Sequence, residues 1–183
     1  MLRIALRHGL FAGLVLAALL LGTAPFQGVI PPWLGMVIGY AGMVGAFVFA
    51  FAAVRRARER AGGMLPFRHA LGVSLLVVLV GSVCYTLTWE VLYFSRYRVS
   101  YMATYEARMV ESARASGATA AEIERQRAEL RAFAVKYDQP LFNAAITMLE
   151  PMPVALVMAL AAAAFGRRRR TADAGTESAL ARA

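Results

Sequence analysis

The sequence predicts an all-α polytopic membrane protein with four transmembrane helices and a helical hairpin outside the membrane between the third and fourth. Of its 183 residues, 60% are hydrophobic and only 17% charged, whereas soluble domains carry roughly 25% charged residues. The apolar residues form four runs of about 20, the length that spans a hydrocarbon core as a helix. Basic residues gather at the ends of these runs. Residues 1–170 are therefore predicted to form one membrane domain.

The first apolar run covers about residues 9–24 and follows Arg3 and Arg7. A charged start before an apolar centre is also typical of a secretory signal peptide, so a cleaved leader is the alternative. Pro25 directly follows the small residues at 22–24, an unfavourable place for cleavage. The sequence therefore favours a retained first span.

The other three runs cover about residues 33–54, 70–94 and 141–165. The far end of the third run is crowded with aromatic residues, as expected at a membrane interface. Lys and Arg number two before the first run, five between the second and third, and five after the fourth. Because cytoplasmic flanks are enriched in these residues, both termini are predicted to be cytoplasmic.

The chain carries 20 Lys and Arg against 11 Asp and Glu, a formal net charge of +9. The excess lies at span ends, so anionic phospholipid headgroups are predicted as its partners and nucleic acid is not. Six arginines are predicted to anchor the lipid contact and the topology: Arg55, Arg56, Arg167, Arg168, Arg169 and Arg170.

The segment from 95 to 139 is predicted to form the hairpin. Gly117 is expected to end its first helix, and Thr119 with Glu122 has the form of a capping box. Four aromatic residues are candidate anchors for a protein partner, unless they pack the hairpin on itself or on the membrane: Tyr101, Tyr105, Phe133 and Tyr137. Residues 171–183 are small, polar and aperiodic, and are predicted to form a flexible cytoplasmic tail.

Two carboxylates fall within predicted spans, where such groups are costly and are functional candidates. Each shares a helix face with polar companions at steps of three or four residues. The two predicted stripes are Ser82, Thr86 and Glu90 on the third span, and Asn143, Thr147 and Glu150 on the fourth. Facing stripes would make a polar seam in which both carboxylates cannot ionise at low cost, which favours a shared proton or a bound cation.

Simpler roles exist for both carboxylates. Glu90 can reach interfacial water beside Trp89, and Glu150 can bond to the backbone or to a basic residue of the hairpin. Pro151 and Pro153 each remove a backbone donor and are predicted to kink the fourth helix. The carbonyls that they free can ligate a cation, although kinks in membrane helices often serve shape alone.

Glycines spaced for close helix approach are predicted to lie at helix contacts: Gly35, Gly39 and Gly42 in the second span, and Gly9 and Gly13 in the first. Their partner is another span or a second copy of the chain. No phosphate-binding loop, zinc spacing or nucleophile elbow is present in the sequence. We therefore expect no cofactor, no metal and no enzymatic activity.

Several short segments recur in the order and spacing of a known family: Gly35–Tyr40, Arg55-Arg56, Gly62-Gly63, Thr88-Trp89-Glu90, Gly117–Glu122 and Leu149–Val154. Over about residues 9–165, the sequence resembles the bacterial family of unknown function numbered 4199, in its proteobacterial form. The resemblance implies a four-span inner-membrane protein and no established activity, substrate or cofactor. Pro151 is a departure, since an apolar residue is more usual there.

Four spans without a cofactor motif favour a non-catalytic interaction or accessory component of the bacterial inner membrane. The alternative is a small transporter, or a carrier coupled to protons or cations, that uses Glu90 and Glu150.

Overall fold

The structure, a computed structural model, describes residues 1–26 and 29–166, and within these ranges every regular element is helical. The α-helices are α1 (Leu2–Thr23), α2 (Pro32–Arg60), α3 (Phe67–Leu92), α4 (Tyr101–Ala115), α5 (Ala120–Tyr137), α6 (Pro140–Leu149) and α7 (Met152–Gly166). A 3-10 turn follows α1 and a π-helical turn extends α3 to Tyr97. The predicted all-α class is confirmed for these residues. Arg167–Arg170 and the predicted tail at 171–183 lie outside them.

Three helical segments are long and apolar enough to cross a membrane: Leu2–Phe26, Pro32–Arg60 and Phe67–Tyr97. Helices α6 and α7 meet the same test only as a pair, and they are bent by 45° at the break between them. The described chain therefore has three candidate spans, or four if the bent pair counts as one. The run predicted at 141–165 is divided into two helices.

The break between α6 and α7 falls where proline removes backbone donors. Pro151 and Pro153 have no N–H, so two bonds of the helical ladder cannot form. The Glu150 N–H donates to the Thr147 carbonyl at 3.3 Å, and the Ala155 N–H donates to the Pro151 carbonyl at 2.8 Å as the next helix begins. The two prolines thus mark the bend.

Small residues bring α1 close to α2 and α3. A Cβ on Gly9 would lie 2.7 Å from the Cβ of Val80, and Gly13 and Gly42 are equally crowded by side chains of neighbouring helices. Such close approach maximises van der Waals contact between helix backbones. These three glycines therefore lie at helix contacts within the chain.

We call one part of the bundle the closed half, because its small side chains let the helices pack directly against one another. It comprises Gly9 of α1, the end of α2, the start of α3 and the end of α7: Ala53, Ala57, Ala70, Ala159, Ala162, Ala163 and Gly166 are all buried there. The Ser74 hydroxyl on α3 donates to the Ala159 carbonyl on α7 at 2.9 Å. This bond joins α3 to the helix that follows the break.

A short turn at 116–119 connects α4 to α5, and the two helices pack against each other. Gly117 has a φ of 81°, a conformation that glycine adopts freely, and it follows the end of α4 as predicted. The predicted capping box is confirmed: the Thr119 hydroxyl accepts from the Glu122 N–H, and the Glu122 carboxylate accepts from the Thr119 N–H. An ion pair between Arg131 and Glu106 joins the two helices at 3.3 Å.

Candidate functional site

An aromatic cluster lies where the end of α3, the start of α4 and the end of α5 meet. It consists of Trp89, Tyr93, Tyr97, Tyr101, Phe133 and Tyr137. The rings of Trp89 and Tyr101 meet edge to face with centroids 5.0 Å apart, and those of Tyr93 and Tyr137 do so at 5.3 Å. Edge-to-face pairs are favoured by ring quadrupoles. The cluster therefore fixes α4 and α5 on α3.

Hydrogen bonds engage the polar groups of Trp89, Tyr93 and Tyr137 in this cluster. The Trp89 indole N–H donates to the Tyr137 hydroxyl at 3.0 Å, and the Tyr93 hydroxyl donates to the Asp138 carboxylate at 3.1 Å. Asp138 also forms an ion pair with Arg98 at 3.2 Å. Burial, which disfavours a charged phenolate, raises the pKa of Tyr101 and of Tyr137. Both phenols are therefore neutral at physiological pH.

Three of the four aromatic residues predicted as partner anchors pack inside the chain instead. Tyr101, Phe133 and Tyr137 belong to the aromatic cluster, and Tyr137 is buried. Of the four, only Tyr105 is exposed, with 41% of its surface accessible. The physical reason is that α3 extends past its apolar run through the π-helical turn, and so offers rings for the hairpin to cover.

The polar residues of α6 are largely satisfied by their own neighbourhood. The buried Asn143 amide donates to the Tyr137 carbonyl at 3.1 Å, and the buried Thr147 hydroxyl donates to the Asn143 side-chain oxygen at 3.2 Å. Thr86 on α3 donates to the sulfur of Met148 at 3.6 Å. The Asn143 amide thus holds α6 against the end of α5, and Thr147 supports Asn143 from within α6.

Glu150 is bonded to a residue that the sequence reasoning did not assign to it. The Tyr85 hydroxyl on α3 donates to Oε2 of Glu150, which lies at the break between α6 and α7, at 2.8 Å. Neither of the expected partners, a backbone group or a basic residue of the hairpin, makes this contact. The signal in the sequence is Tyr85 itself, one of the aromatic residues at the far end of the third run that are expected at a membrane interface.

Glu90 and Ser82 do not join Glu150. Glu90 Oε1 and the Ser82 hydroxyl are buried without a hydrogen-bond partner among the described residues. Glu90 follows Tyr85 by five residues, which turns it about 140° around the helix from the side that faces Glu150. Among the described residues no hydrogen bond joins Glu90 to Glu150, and the seam through both carboxylates stays a prediction.

A cavity of about 350 Å³ lies beside Glu150, between α1, α2, α3 and α4. Its aromatic walls are the rings of Tyr85, Tyr97, Tyr101 and Tyr105, and its charged groups are Arg108 and Glu150. We call this region of the bundle the cavity end. It joins a carboxylate, a guanidinium and several phenols within one space of small-molecule size.

Two of the glycines predicted to pack helices line this cavity. A Cβ on Gly39 would meet nothing within 4 Å, and one on Gly35 would meet only a methyl group of Ile30 at 4.0 Å. Both residues are among those that line the cavity. Their role is therefore corrected from helix contact to providing space, whereas Gly42, one turn farther along α2, does contact α1.

The described residues contain no group of three or more His, Cys, Asp or Glu side chains placed to hold a metal ion. His8, a conceivable ligand, is buried with its Nδ1 2.7 Å from the Ile4 carbonyl oxygen. The groups that the cavity presents are suited to hydrogen bonding and to charge contacts. Among these groups, the Tyr85 phenol and the Glu150 carboxylate already bond to each other.

Several helices long and apolar enough to cross a membrane define the class: an all-α, multi-pass membrane protein. Residues 7–168 match the family described as Protein of unknown function (DUF4199), and the chain belongs to that family. No curated protein and no solved structure matches the chain.

Proposed function

We propose that this protein is a non-catalytic accessory component of the bacterial inner membrane that binds a small molecule at its cavity end. The observation that carries the proposal is the cavity beside Glu150, with a carboxylate, a guanidinium and four phenol rings in its walls. Small-molecule sites are concave, largely apolar and carry a few convergent polar groups. This cavity has that composition.

The orientation that we propose counts α6 and α7 as one bent fourth span. The arginines that follow α7 and those that end α2 then lie on the cytoplasmic side, where Arg55 and Arg56 contact anionic headgroups. With both termini cytoplasmic, the cavity and the α4–α5 pair face the periplasm. A ligand would therefore enter the cavity from the periplasmic side.

Reporter fusions test this topology. Fusions after Gly62 and after Ala183 should report a cytoplasmic position, and a fusion after Gly117 a periplasmic one. A fusion after Ala183 that reports the same side as the one after Gly117 would mean that α6 and α7 do not cross the membrane together.

Filling the cavity tests ligand binding. Gly39→Leu places a side chain in the cavity, whereas Gly45→Leu places the same side chain on an exposed face of α2, and neither meets an atom within 4 Å at its Cβ. Native mass spectrometry should detect a retained small molecule in the wild type and in Gly45→Leu, and none in Gly39→Leu. Equal retention in all three proteins, or none in any, would contradict the proposal.

A carrier is the second candidate function, and one observation favours it. Glu150 lies at the break between two half-helices and lines the cavity, and transporters with broken helices hold their coupling ions at such breaks. Glu90 no longer belongs to this hypothesis, because it does not face the cavity. In proteoliposomes, Glu150→Gln should abolish proton-coupled flux and Glu90→Gln should preserve it, and equal flux in both would dismiss the carrier.

A further inference from the structure

We propose that the cavity recognises a zwitterionic group in which an ammonium and a phosphate ester lie a few bonds apart. The ammonium would contact Glu150 and the tyrosine rings, and the phosphate would contact Arg108. This inference rests on the proposed function, since it names the chemical class that the same cavity takes.

The carboxylate side of the cavity is suited to a cation. The hydrogen bond from Tyr85 uses Glu150 Oε2, and a carboxylate has acceptor sites on both oxygens. Glu150 is exposed beside the cavity. The rings of Tyr97, Tyr101 and Tyr105 share the wall with it, and aromatic faces attract ammonium groups. A carboxylate among phenol rings therefore selects an organic ammonium.

Arg108 supplies the opposite charge, and within residues 1–26 and 29–166 it is distinguished by having no acidic partner. The other arginines of α4 and α5 all pair with acidic side chains, and they are Arg114, Arg125, Arg127 and Arg131. No ion pair joins Arg108 to any of the described carboxylates. Its planar guanidinium can bind a phosphate through two parallel N–H···O hydrogen bonds.

The two charges together exclude ligands that carry only one. A simple anion bound at Arg108 would leave Glu150 desolvated without a counter-charge, and a simple cation would do the same to Arg108. A ligand with both signs compensates both groups at once. The net charge of the site and its ligand then stays near zero, which lowers the cost of removing water.

The size and position of the cavity define the ligand further. A volume of about 350 Å³ is at the small end for ligand sites, enough for a headgroup and the carbons next to it. The apolar wall includes Leu20, Ile30 and Ile38, which suits those carbons. The source of the group is either a phospholipid of the outer leaflet or a water-soluble phosphate ester, because both carry the same chemistry.

Binding of glycerophosphoethanolamine to the purified full-length protein tests the inference by calorimetry. Glu150→Gln and Arg108→Gln should each weaken binding about tenfold or more, the worth of one charge-assisted hydrogen bond. Their matched controls, Glu90→Gln and Arg114→Gln, lie outside the cavity and should bind as the wild type does. Glutamine at 150 can still accept from Tyr85, so the fold is retained.

Two further arms make the result decisive. Glycerophosphoglycerol, which lacks the ammonium, should bind at least tenfold more weakly, and Arg108→Lys should restore part of the affinity because it keeps the charge. Equal binding of the two esters, or equal binding by Glu150→Gln and Glu90→Gln, would overturn the inference. Nanodiscs of phosphatidylethanolamine or phosphatidylglycerol identify the source: competition by the first lipid alone assigns the site to a lipid headgroup, and no competition by either assigns it to the soluble ester.

The outcome also separates this inference from the proposed function. If Gly39→Leu removes a retained small molecule while the wild type fails to bind glycerophosphoethanolamine in detergent or its lipid in nanodiscs, the cavity is a binding site for another chemical class. If the Gly39→Leu test fails as well, both proposals fail.

Discussion

The closed half and the cavity end are built from the same three long helices but differ in what fills the space between them. In the closed half, alanine and glycine bring the helices together, and Ala53, Ala57 and Ala159 are completely buried. At the cavity end, the glycines of α2 face open space, and rings and charges line it. One part of the bundle has no room for a further methyl group, and the other has room for a ligand.

This difference shows that glycine has two roles along one sequence. Gly42 and Gly39 lie three residues apart on α2, yet a Cβ would collide with Leu19 at the first and meet nothing at the second. The spacing of small residues indicates a narrow helix face. What the face meets depends on the neighbouring helices. Under the proposed function, the closed half is the scaffold and the cavity end is the binding site.

The largest expected loss of stability comes from replacing Gly9 with a larger residue. Gly9→Leu would push a side chain against the Val77 carbonyl, 3.1 Å from the ideal Cβ position, and against the side chain of Val80. Because backbone cannot move aside cheaply, we expect a loss of at least about 3 kcal/mol, the upper end for overpacked cores. Thermal unfolding in detergent measures it.

Gly39→Leu is the matched comparison for this substitution. It introduces the same side chain into open space, so its stability should stay within about 1 kcal/mol of the wild type. A loss as large as that of Gly9→Leu would show that the cavity end is as tightly filled as the closed half, against the structure.

The next largest effect is expected in the aromatic cluster. Tyr137→Phe removes the oxygen that accepts from the Trp89 indole N–H and leaves that buried donor without a partner, at a cost of about 1–3 kcal/mol. Chemical denaturation followed by tryptophan fluorescence measures the loss. Tyr105→Phe, at an exposed ring outside the cluster, is the control and should change stability little. Equal effects would contradict the buried hydrogen bond.

The sequence predicted local features better than partnerships. The apolar runs placed α1, α2 and α3, and the chemistry of Gly117, Thr119 and Glu122 predicted the turn between α4 and α5. These features depend on residues close together in the chain. The prolines at 151 and 153 predicted a kink, but the 45° bend between two separate helices depends on how α7 packs against α2 and α3.

The predicted polar stripes did not give the partner of Glu150, for a geometric reason. Residues four apart are separated by about 400° of helical rotation, so a stripe from Ser82 to Glu90 drifts by about 80°. Glu150 pairs with Tyr85, 65 positions away in sequence, and the rotation of two helices about their axes decides such a pairing. Periodicity gives the face of each helix but not the partner of each face.

A smaller effect is expected at the bond between α3 and α7. Ser74→Ala removes the hydroxyl that donates to the Ala159 carbonyl at 2.9 Å. Hydrogen bonds between membrane helices average about 0.6 kcal/mol and reach about 1.7 kcal/mol, so the loss should fall in that range. Ser95→Ala, at an exposed serine, is the control. A loss of stability larger than that of Tyr137→Phe would contradict the expectation that the buried bond in the aromatic cluster contributes more than the bond between α3 and α7.

The smallest expected effect on stability is the pH dependence that the capping box contributes. Hydrogen bonds from the Thr119 backbone N–H and hydroxyl lower the pKa of Glu122. A lowered carboxyl pKa adds stability above the ordinary value near 4.5, and this stability is lost as the pH falls through the folded value. In the wild type, unfolding should therefore become slightly easier below pH 4.5. This dependence should shrink in Thr119→Ala and persist in Ser116→Ala, and an unchanged profile in Thr119→Ala would contradict the cap.

Cysteine labelling in intact cells tests most directly that the cavity end is open to water on the periplasmic side. The chain has one cysteine, Cys84, so single cysteines can be introduced in a Cys84→Ser background. A membrane-impermeant maleimide added outside the inner membrane should label Gly39→Cys in the cavity and leave Gly45→Cys on the exposed face of α2 unlabelled. Equal labelling of both, or labelling of Gly39→Cys only after the membrane is permeabilised, would contradict the account.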